Sequence, residues 1–418
     1  MPEMDRRSTP IAVTGIGIVS PLGIGREAFW SGLMAGQSGI APRETSATTG
    51  GPSSRRTLPT RTAAIRGGSL RHRVTSPVGR RMDELSRRFV ASAHLALEEA
   101  GLEVASIDPT RLGIVAGSMC GNLNGTVEYL QRLFRKGPAL ASPLLFPNLV
   151  LNAPASYTSM ELGSVGGNLT VAQGEVSGEQ AVALGCAMIR GDRAGVVLAG
   201  GGDELSEILF NVYRGVRALA GQGRRREWSS PYDRNRSGVI LGEGAAWLVL
   251  ESREEARRRE ARSHAEIVAE LTLAVPCAPF VWPAETGGAP ARLRDWLAAN
   301  GGLEVDLVVG SANSSRGLDG FELRLLHEIF PGRKPALTSI KGAIGEFGGA
   351  GALSLAAACL ALDQQLVPPL CHLEEPSRGF DFDFVGPTAE ARRLDRVLAL
   401  GVARGGVISA TLLQRAAV

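Results

Sequence analysis

Apolar residues fall in short blocks separated by glycine-rich turns, and the blocks switch between the period of a strand and that of a helix. Ile11-Ala-Val-Thr-Gly-Ile-Gly-Ile-Val19 is a β-branched run closed by Ser20-Pro21-Leu22-Gly23, which predicts a buried strand and a turn. Comparable runs predict strands at Arg111–Gly117, Ala194–Ala199, Gly244–Leu250, Ala265–Leu271, Val305–Gly310, Ala336–Thr338 and Gly405–Leu413. Helices are expected near Arg26–Ala35 and over Met82–Ala100, where Leu85, Phe89, Ala93, Leu95 and Leu97 lie near helical spacing. Residues 41–80 carry Gly, Ser, Thr, Pro and many arginines without periodicity and read as a surface excursion.

Helices alternate with many of these strands, so the class is α/β with largely buried sheets. Each half also contains one helix built almost wholly from small and apolar residues: Val176–Ile189 in the first and Ala350–Leu362 in the second. Helices apolar on most faces are buried, and small side chains let backbones approach closely. Two such helices back to back between sheets predict duplicated halves, residues 1–255 and 256–418, forming a five-layered α-β-α-β-α core. The segment Asn168–Gly191 reads as a strand, a sharp turn and the first of these helices, a geometry that presents Glu175 at the turn.

A chain of 418 residues exceeds what one core normally fills, which agrees with two core-forming halves. The 45 basic and 42 acidic residues nearly cancel, which gives no electrostatic case for nucleic acid. Cys120, Cys186, Cys277, Cys359 and Cys371 are far apart and lack metal-ligand spacing, so reduced thiols are expected, with no metal and no cofactor. The amino-terminal residues lead into a strand without a signal-peptide core, and no apolar run reaches the roughly 20 residues that cross a bilayer. A cytoplasmic protein with no membrane partner is expected.

Five motifs occur in a telling order: Ile11–Gly23, Phe146-Pro147-Asn148 leading to Asn168–Val171, the turn at Glu175, Arg190–Gly202, and Pro231-Tyr-Asp-Arg-Asn-Arg-Ser-Gly-Val-Ile-Leu-Gly-Glu-Gly-Ala245. In that order they resemble the β-ketoacyl-acyl carrier protein synthases of the thiolase superfamily, over nearly the whole chain. The resemblance implies a thiolase-like fold, a cysteine nucleophile at the turn and two histidines that serve decarboxylation and the oxyanion. Here the turn reads Gly174-Glu175-Val176-Ser177-Gly178. The first histidine segment reads Ala312-Asn313-Ser314-Ser315, followed by Asp319 and Glu322, and the second reads Gly345-Glu346-Phe347-Gly348-Gly349. Lys341 matches the family's catalytic neighbourhood, and Arg404 stands at the position of the aromatic gate.

Carbon–carbon condensation on a thioester needs a nucleophile that holds the acyl chain and donors for the carbonyl oxygen. A glutamate would have to form a readily hydrolysed anhydride, Asn313 cannot exchange a proton near neutral pH, and Glu346 repels a carboxylate or enolate. No catalytic set is intact, so Glu175, Glu346, Lys341 and Arg404 are expected to form a charge network in the vacated pocket.

Members of this family without the cysteine are the chain length factors, or ketosynthase β subunits, of type II polyketide synthases. The resemblance therefore implies a heterodimer with a homologous cysteine-bearing ketosynthase α subunit, paired through Asn168–Gln173, that works on chains held by an acyl carrier protein. It also points to the helix at Gly125–Phe134 as the tunnel-lining segment. By helical spacing Thr126, Tyr129, Leu130 and Leu133 share a face there. The alternative is an enzyme: a malonyl-carrier decarboxylase that makes primers, or a cyclase using Glu175 as a base. Arg71, Arg73, Arg80, Arg81, Arg87, Arg88 and Arg224–Arg226 are candidate docking charges for an acidic carrier, but arginine is so abundant here that ordinary solvated surface is the preferred reading.

Overall fold

A computed structural model describes residues 9–43, 60–67, 70, 73–74, 77–222, 226–332 and 334–416. Ten of the twelve strands of the main sheet among the described residues carry the fold. In the first half they are β1 (Ile11–Ser20), β2 (Leu112–Gly117), β3 (Asn168–Val171), β4 (Val196–Asp203) and β5 (Gly244–Ser252). In the second they are β6 (Ala265–Ala274), β7 (Leu307–Val309), β8 (Ala336–Thr338), β9 (Arg396–Val402) and β10 (Val407–Gln414).

The spatial order is β3-β2-β4-β5-β1 in one half and β8-β7-β9-β10-β6 in the other. Both halves therefore run third, second, fourth, fifth, first. Directions repeat as well. The second strand is parallel to the third and fourth, and the fourth, fifth and first are antiparallel in turn. A short antiparallel seam between Ile11–Val13 and Ala265–Ile267 joins the halves. The internal echo seen in the two small-residue helices is thus a duplicated fold.

The helices that matter for the site are α1 (Arg26–Met34), α2 (Glu84–Ala100), α3 (Leu123–Lys136), α4 (Ala153–Leu162), α5 (Ser177–Arg190), α6 (Glu207–Gly215), α7 (Arg316–Ile329), α8 (Lys341–Ile344) and α9 (Ala350–Gln364). Asp83 starts α2 by accepting from the Ser86 amide, and Gly101 in the left-handed region ends it. The middle layer is α5 and α9, which touch each other and strands of the sheets on either side. Their glycines make that approach possible. A Cβ on Gly349, just before α9, would lie 2.1 Å from the Gly202 amide nitrogen, and one on Gly178 would lie 2.7 Å from the Ala352 nitrogen. From Ala350 to Leu362 every residue of α9 is buried. α2 and α4 cover the outer face of the first sheet, while α7 packs its Leu318, Phe321 and Leu325 into the outer core of the second.

The strand expectations need several corrections. Arg396–Val402 is a central strand that the pattern reading passed over, because a six-residue apolar run among arginines gives no alternation to count. Residues 405 and 406 belong to a turn, and β10 starts at Val407. The strand expected at Val305–Gly310 shrinks to Leu307–Val309. Of the expected excursion at 41–80, Ile40–Pro42 pairs with Arg61–Ala63 as a two-stranded ribbon, and most of the rest lies outside the described residues.

Candidate functional site

β3 leads into one 3-10 turn, Gly174–Val176, and then α5. Gly174 has φ +60, a left-handed conformation that suits glycine, and the turn swings Glu175 inward until it is 4% exposed. Its carboxylate is fully engaged. Oε2 accepts from the Arg404 amide at 3.1 Å, and Oε1 accepts from the Arg404 guanidinium. Arg404 reaches it from a tight turn between β9 and β10, in which Gly405 and Gly406 have φ +83 and +89. The same guanidinium donates to the Tyr213 hydroxyl at 3.0 Å and lies over two rings, 5.0 Å from the centre of Tyr213 and 4.4 Å from that of Trp282.

A second buried ion pair lies next to the first. Lys341 Nζ is 3.0 Å from both oxygens of Glu346, and Asn313 Nδ2 donates to Glu346 Oε2 at 2.5 Å. Burial works against the Lys341 charge, but Glu346, Glu179 and Glu175 outweigh it and raise its pKa. Burial raises Glu346, with Lys341 pulling the other way. The other end of the Asn313 amide is occupied too, because Oδ1 accepts from the Ser315 amide at 3.0 Å. Asp319 and Glu322 hold the backbone of this loop. Asp319 accepts from the amides of Asn313 and Tyr232, and Glu322 from those of Ser311 and Ala312 and from the Tyr232 hydroxyl.

Glu175 with Arg404, and Asn313 with Lys341 and Glu346, therefore form two bonded groups from distant parts of the chain that lie within electrostatic reach of each other. Sequence reasoning missed three further members. Tyr213 and Trp282 flank Arg404, as described, and Glu179 sits one helical turn beyond Glu175, 4% exposed. The Glu179 carboxylate fills a space that exists because two residues lack side chains. A Cβ on Gly351 would lie 1.7 Å from its Oε2, and one on Gly401 would lie 2.4 Å from its Oε1. Oε2 has no hydrogen-bond partner among the described residues. Burial pushes this carboxyl up to about 7, against the pull of Lys341. Its one sequence signal is the i, i+4 spacing from Glu175.

The α3 stripe behaves differently from a core stripe. Helical spacing does put Thr126, Tyr129, Leu130 and Leu133 on one helix, yet none is buried, and Leu130 is 39% exposed. The Tyr129 ring meets Phe146, itself 58% exposed, at 6.2 Å between centres. Among the candidate docking arginines, Arg73, Arg87, Arg88 and Arg226 form ion pairs within the chain, whereas Arg80 and Arg81 are exposed. Arg71, Arg224 and Arg225 lie outside the described residues. No group of three His, Cys, Asp or Glu among the described residues is placed to hold a metal, and none of their helices is long and apolar enough to cross a membrane.

The duplicated fold and the site at the β3–α5 turn define a ketosynthase-type protein, and comparison with known proteins agrees. The N-terminal domain of β-ketoacyl synthases matches residues 8–256 and the C-terminal domain matches residues 283–374. The chain belongs to the β-ketoacyl synthase family. It is 30% identical to the 3-oxoacyl-[acyl-carrier-protein] synthase 2 of Coxiella burnetii, over 97% of this chain and 98% of that protein. It is 31% identical to the tetracenomycin polyketide synthase ketoacyl synthase alpha subunit of Streptomyces glaucescens, over 97% of each. In three dimensions it resembles the ishigamide ketosynthase/chain length factor, with TM-score 0.89 and 24% identity over 98% of this chain and 100% of that one. A type II ketosynthase in complex with its acyl-carrier protein gives a TM-score of 0.88 at 21% identity, over 98% of this chain and 100% of that one. These two likenesses concern the fold.

Proposed function

We propose that this chain is a non-condensing subunit of a type II polyketide synthase, which pairs with a cysteine-bearing ketosynthase and shapes the cavity that sets product length. One observation carries the reading: the position that must offer a free thiolate holds Glu175, with both oxygens committed to Arg404. A carboxylate in that state is neither nucleophile nor available base. Lys341, Glu346 and Asn313 are committed to one another in the same way. These engagements also weigh against a cyclase or decarboxylase built on Glu175.

The surface supports pairing. β3 ends the sheet, with Asn168 and Leu169 exposed. The stretch of chain that precedes it carries Leu130, Phe134, Leu140, Leu144, Phe146, Val150, Leu151, Met160 and Val165, more than half of the large exposed apolar side chains among the described residues. An apolar field of this kind beside an open sheet edge marks an interface. Tyr129 and its neighbours on α3 lie within it, so their placement fits a wall completed by a second subunit. A carrier protein bearing the growing chain is the further partner, and the cytoplasm is the expected site of the reaction.

Co-expression with a cysteine-bearing homologue tests the proposal. The expected result is a stable one-to-one complex that makes polyketide, while the isolated chain releases no carbon dioxide from malonyl-carrier protein. Decarboxylation by the isolated chain would establish the enzymatic alternative.

A further inference from the structure

A cavity of about 320 Å³ opens where the chain crosses from one half to the other, in the connection between β5 and β6. It reaches the last turn of α9 at Asp363, whereas the Glu346 loop precedes the first turn of that helix. At 1.5 Å per residue the two ends lie roughly 20 Å apart, so this cavity is separate from the site described above. Four arginines line it. Arg253 and Arg257 share the short helix Arg253–Arg258, Arg262 belongs to the connection, and Arg415 follows β10. Against them stand two carboxylates, Glu266 and Asp363, which leaves an excess of two positive charges where the whole chain nets only +3. Both carboxylates are engaged. Glu266 accepts from Arg253 Nε at 2.6 Å and from Gln414 at 2.8 Å, while Asp363 accepts from Arg262 at 2.8 Å and lies 3.2 Å from His264 Nδ1. Arg257 and Arg415, both exposed, have no acidic partner among the described residues.

We infer that this cavity binds a compact phosphoryl anion, held by Arg257 and Arg415 across the junction of the halves. Arg253 and Arg262, fixed by Glu266 and Asp363, complete its cationic wall. Like charges on one concave surface repel, and the walls concentrate their field on whatever enters. An anion that bridges them relieves the repulsion, and the parallel N–H donors of a guanidinium match the oxygens of a phosphoryl group. Size narrows the class. Ligand sites span about 300–1,000 Å³, and this cavity lies at the small end, which favours a diphosphate or a small phosphate monoester over a nucleotide. The Ser263 hydroxyl in its wall donates to the Ala265 carbonyl at 3.0 Å, so it is not free as a nucleophile and the role is binding alone. A bound anion would tie the connection between the halves to the end of the last strand. The inference stands apart from the subunit role proposed above, and neither depends on the other.

Titration calorimetry with inorganic pyrophosphate, at an ionic strength held constant with potassium chloride, is the direct test. It uses the full chain, or its complex with a cysteine-bearing homologue if the chain needs one to stay in solution. One saturable site per chain is expected. Arg257→Ala with Arg415→Ala should weaken it by at least about tenfold, the loss of one charge-assisted hydrogen bond. Arg193→Ala with Arg214→Ala removes two exposed charges elsewhere and should change the affinity by less than about twofold, because salt screens distant charges. Inorganic phosphate is the second arm: equal affinity assigns the site to a single phosphoryl group, and weaker binding assigns it to a diphosphate. Thermal melts give an independent readout, since a ligand of the folded state raises the melting temperature saturably. The parent should rise with pyrophosphate, and the Arg257 and Arg415 variant should not. Three results overturn the site: neither saturable heat nor a melting shift with either anion, unchanged affinity in the Arg257 and Arg415 variant, or an equal loss in the Arg193 and Arg214 variant, which is what general attraction to a basic surface produces.

Discussion

Replacing Lys341 with methionine keeps most of the stem volume and deletes the ammonium that sits 3.0 Å from both oxygens of Glu346. At that separation the gross attraction is about 5 kcal/mol with an effective dielectric constant near 20. What a measurement reads is smaller, because desolvation has already offset part of the attraction. Breaking one partner of a buried pair costs about 3–5 kcal/mol, chiefly for the charge left behind. Unfolding entropy of about 2 cal/mol/K per residue over 418 residues converts that to a fall of about 3–6 °C in melting temperature.

The penalty should depend on pH with a definite sign. Burial already raises Glu346 above the ordinary carboxyl value of 4.5, and without the cation it rises further. A carboxyl raised in the folded state keeps its contribution below its unfolded pKa and loses it as pH climbs through the folded one. The variant should therefore lose more stability at pH 8 than at pH 5.5. Differential scanning calorimetry at both values is the assay. Lys341→Met combined with Glu346→Leu should recover part of the loss, because it removes the orphaned Glu346 carboxylate while leaving the Asn313 amide and Glu179 without a partner. A fall below about 1 °C at pH 8, or equal falls at both pH values, would refute the argument that this pair is buried and mutually dependent.

Glu179, with its pKa pushed up to about 7, should cost stability as pH rises from about 5 to 8 by up to about 3 kcal/mol, and Glu179→Gln should flatten that slope; an unchanged slope in thermal melts counts against a buried acid there. His264 lies 3.2 Å from Asp363 and 3.1 Å from Glu99, and although burial pulls its pKa down, these carboxylates raise it above 6.5. Its clamp should be fully present below that value and lost as pH rises through the raised one, so the pH dependence of stability in His264→Gln should be shallower than in the parent by calorimetry. Leu169→Asp and Phe146→Asp change exposed positions, and should abolish complex formation in size-exclusion chromatography while moving the melting temperature little; an intact complex puts the interface elsewhere. Tyr129→Ala should lengthen the products of the reconstituted pair as read by mass spectrometry, and unchanged length with normal pairing removes Tyr129 from the wall.

Local pattern made much of this molecule legible. The strand, turn and helix around Glu175 appear where the β-branched run meets Gly174 and the small-residue helix, because each depends on residues close in sequence. The convergence of Asn313, Lys341, Glu346 and Arg404 was legible through the resemblance, which carries topology that periodicity lacks. Tyr213 escaped notice because its partner is 191 residues away, and an amphipathic helix gives no sign of what its buried face meets. Glu179 was hidden for another reason. Its niche is defined by side chains that Gly351 and Gly401 do not have. On α3, spacing grouped Thr126, Tyr129, Leu130 and Leu133 but could not tell that none of them is buried by the described chain.

The uncovered strand margin at Asn168–Val171 has a consequence for supply. Its N–H and C=O groups are a template for whatever extended segment arrives first. If the chain pairs as proposed, copies made in excess of the companion subunit should drift toward precipitates rather than wait in solution. Matched synthesis of the two chains is, on this view, a requirement of keeping the polypeptide soluble before it is a requirement of making any product.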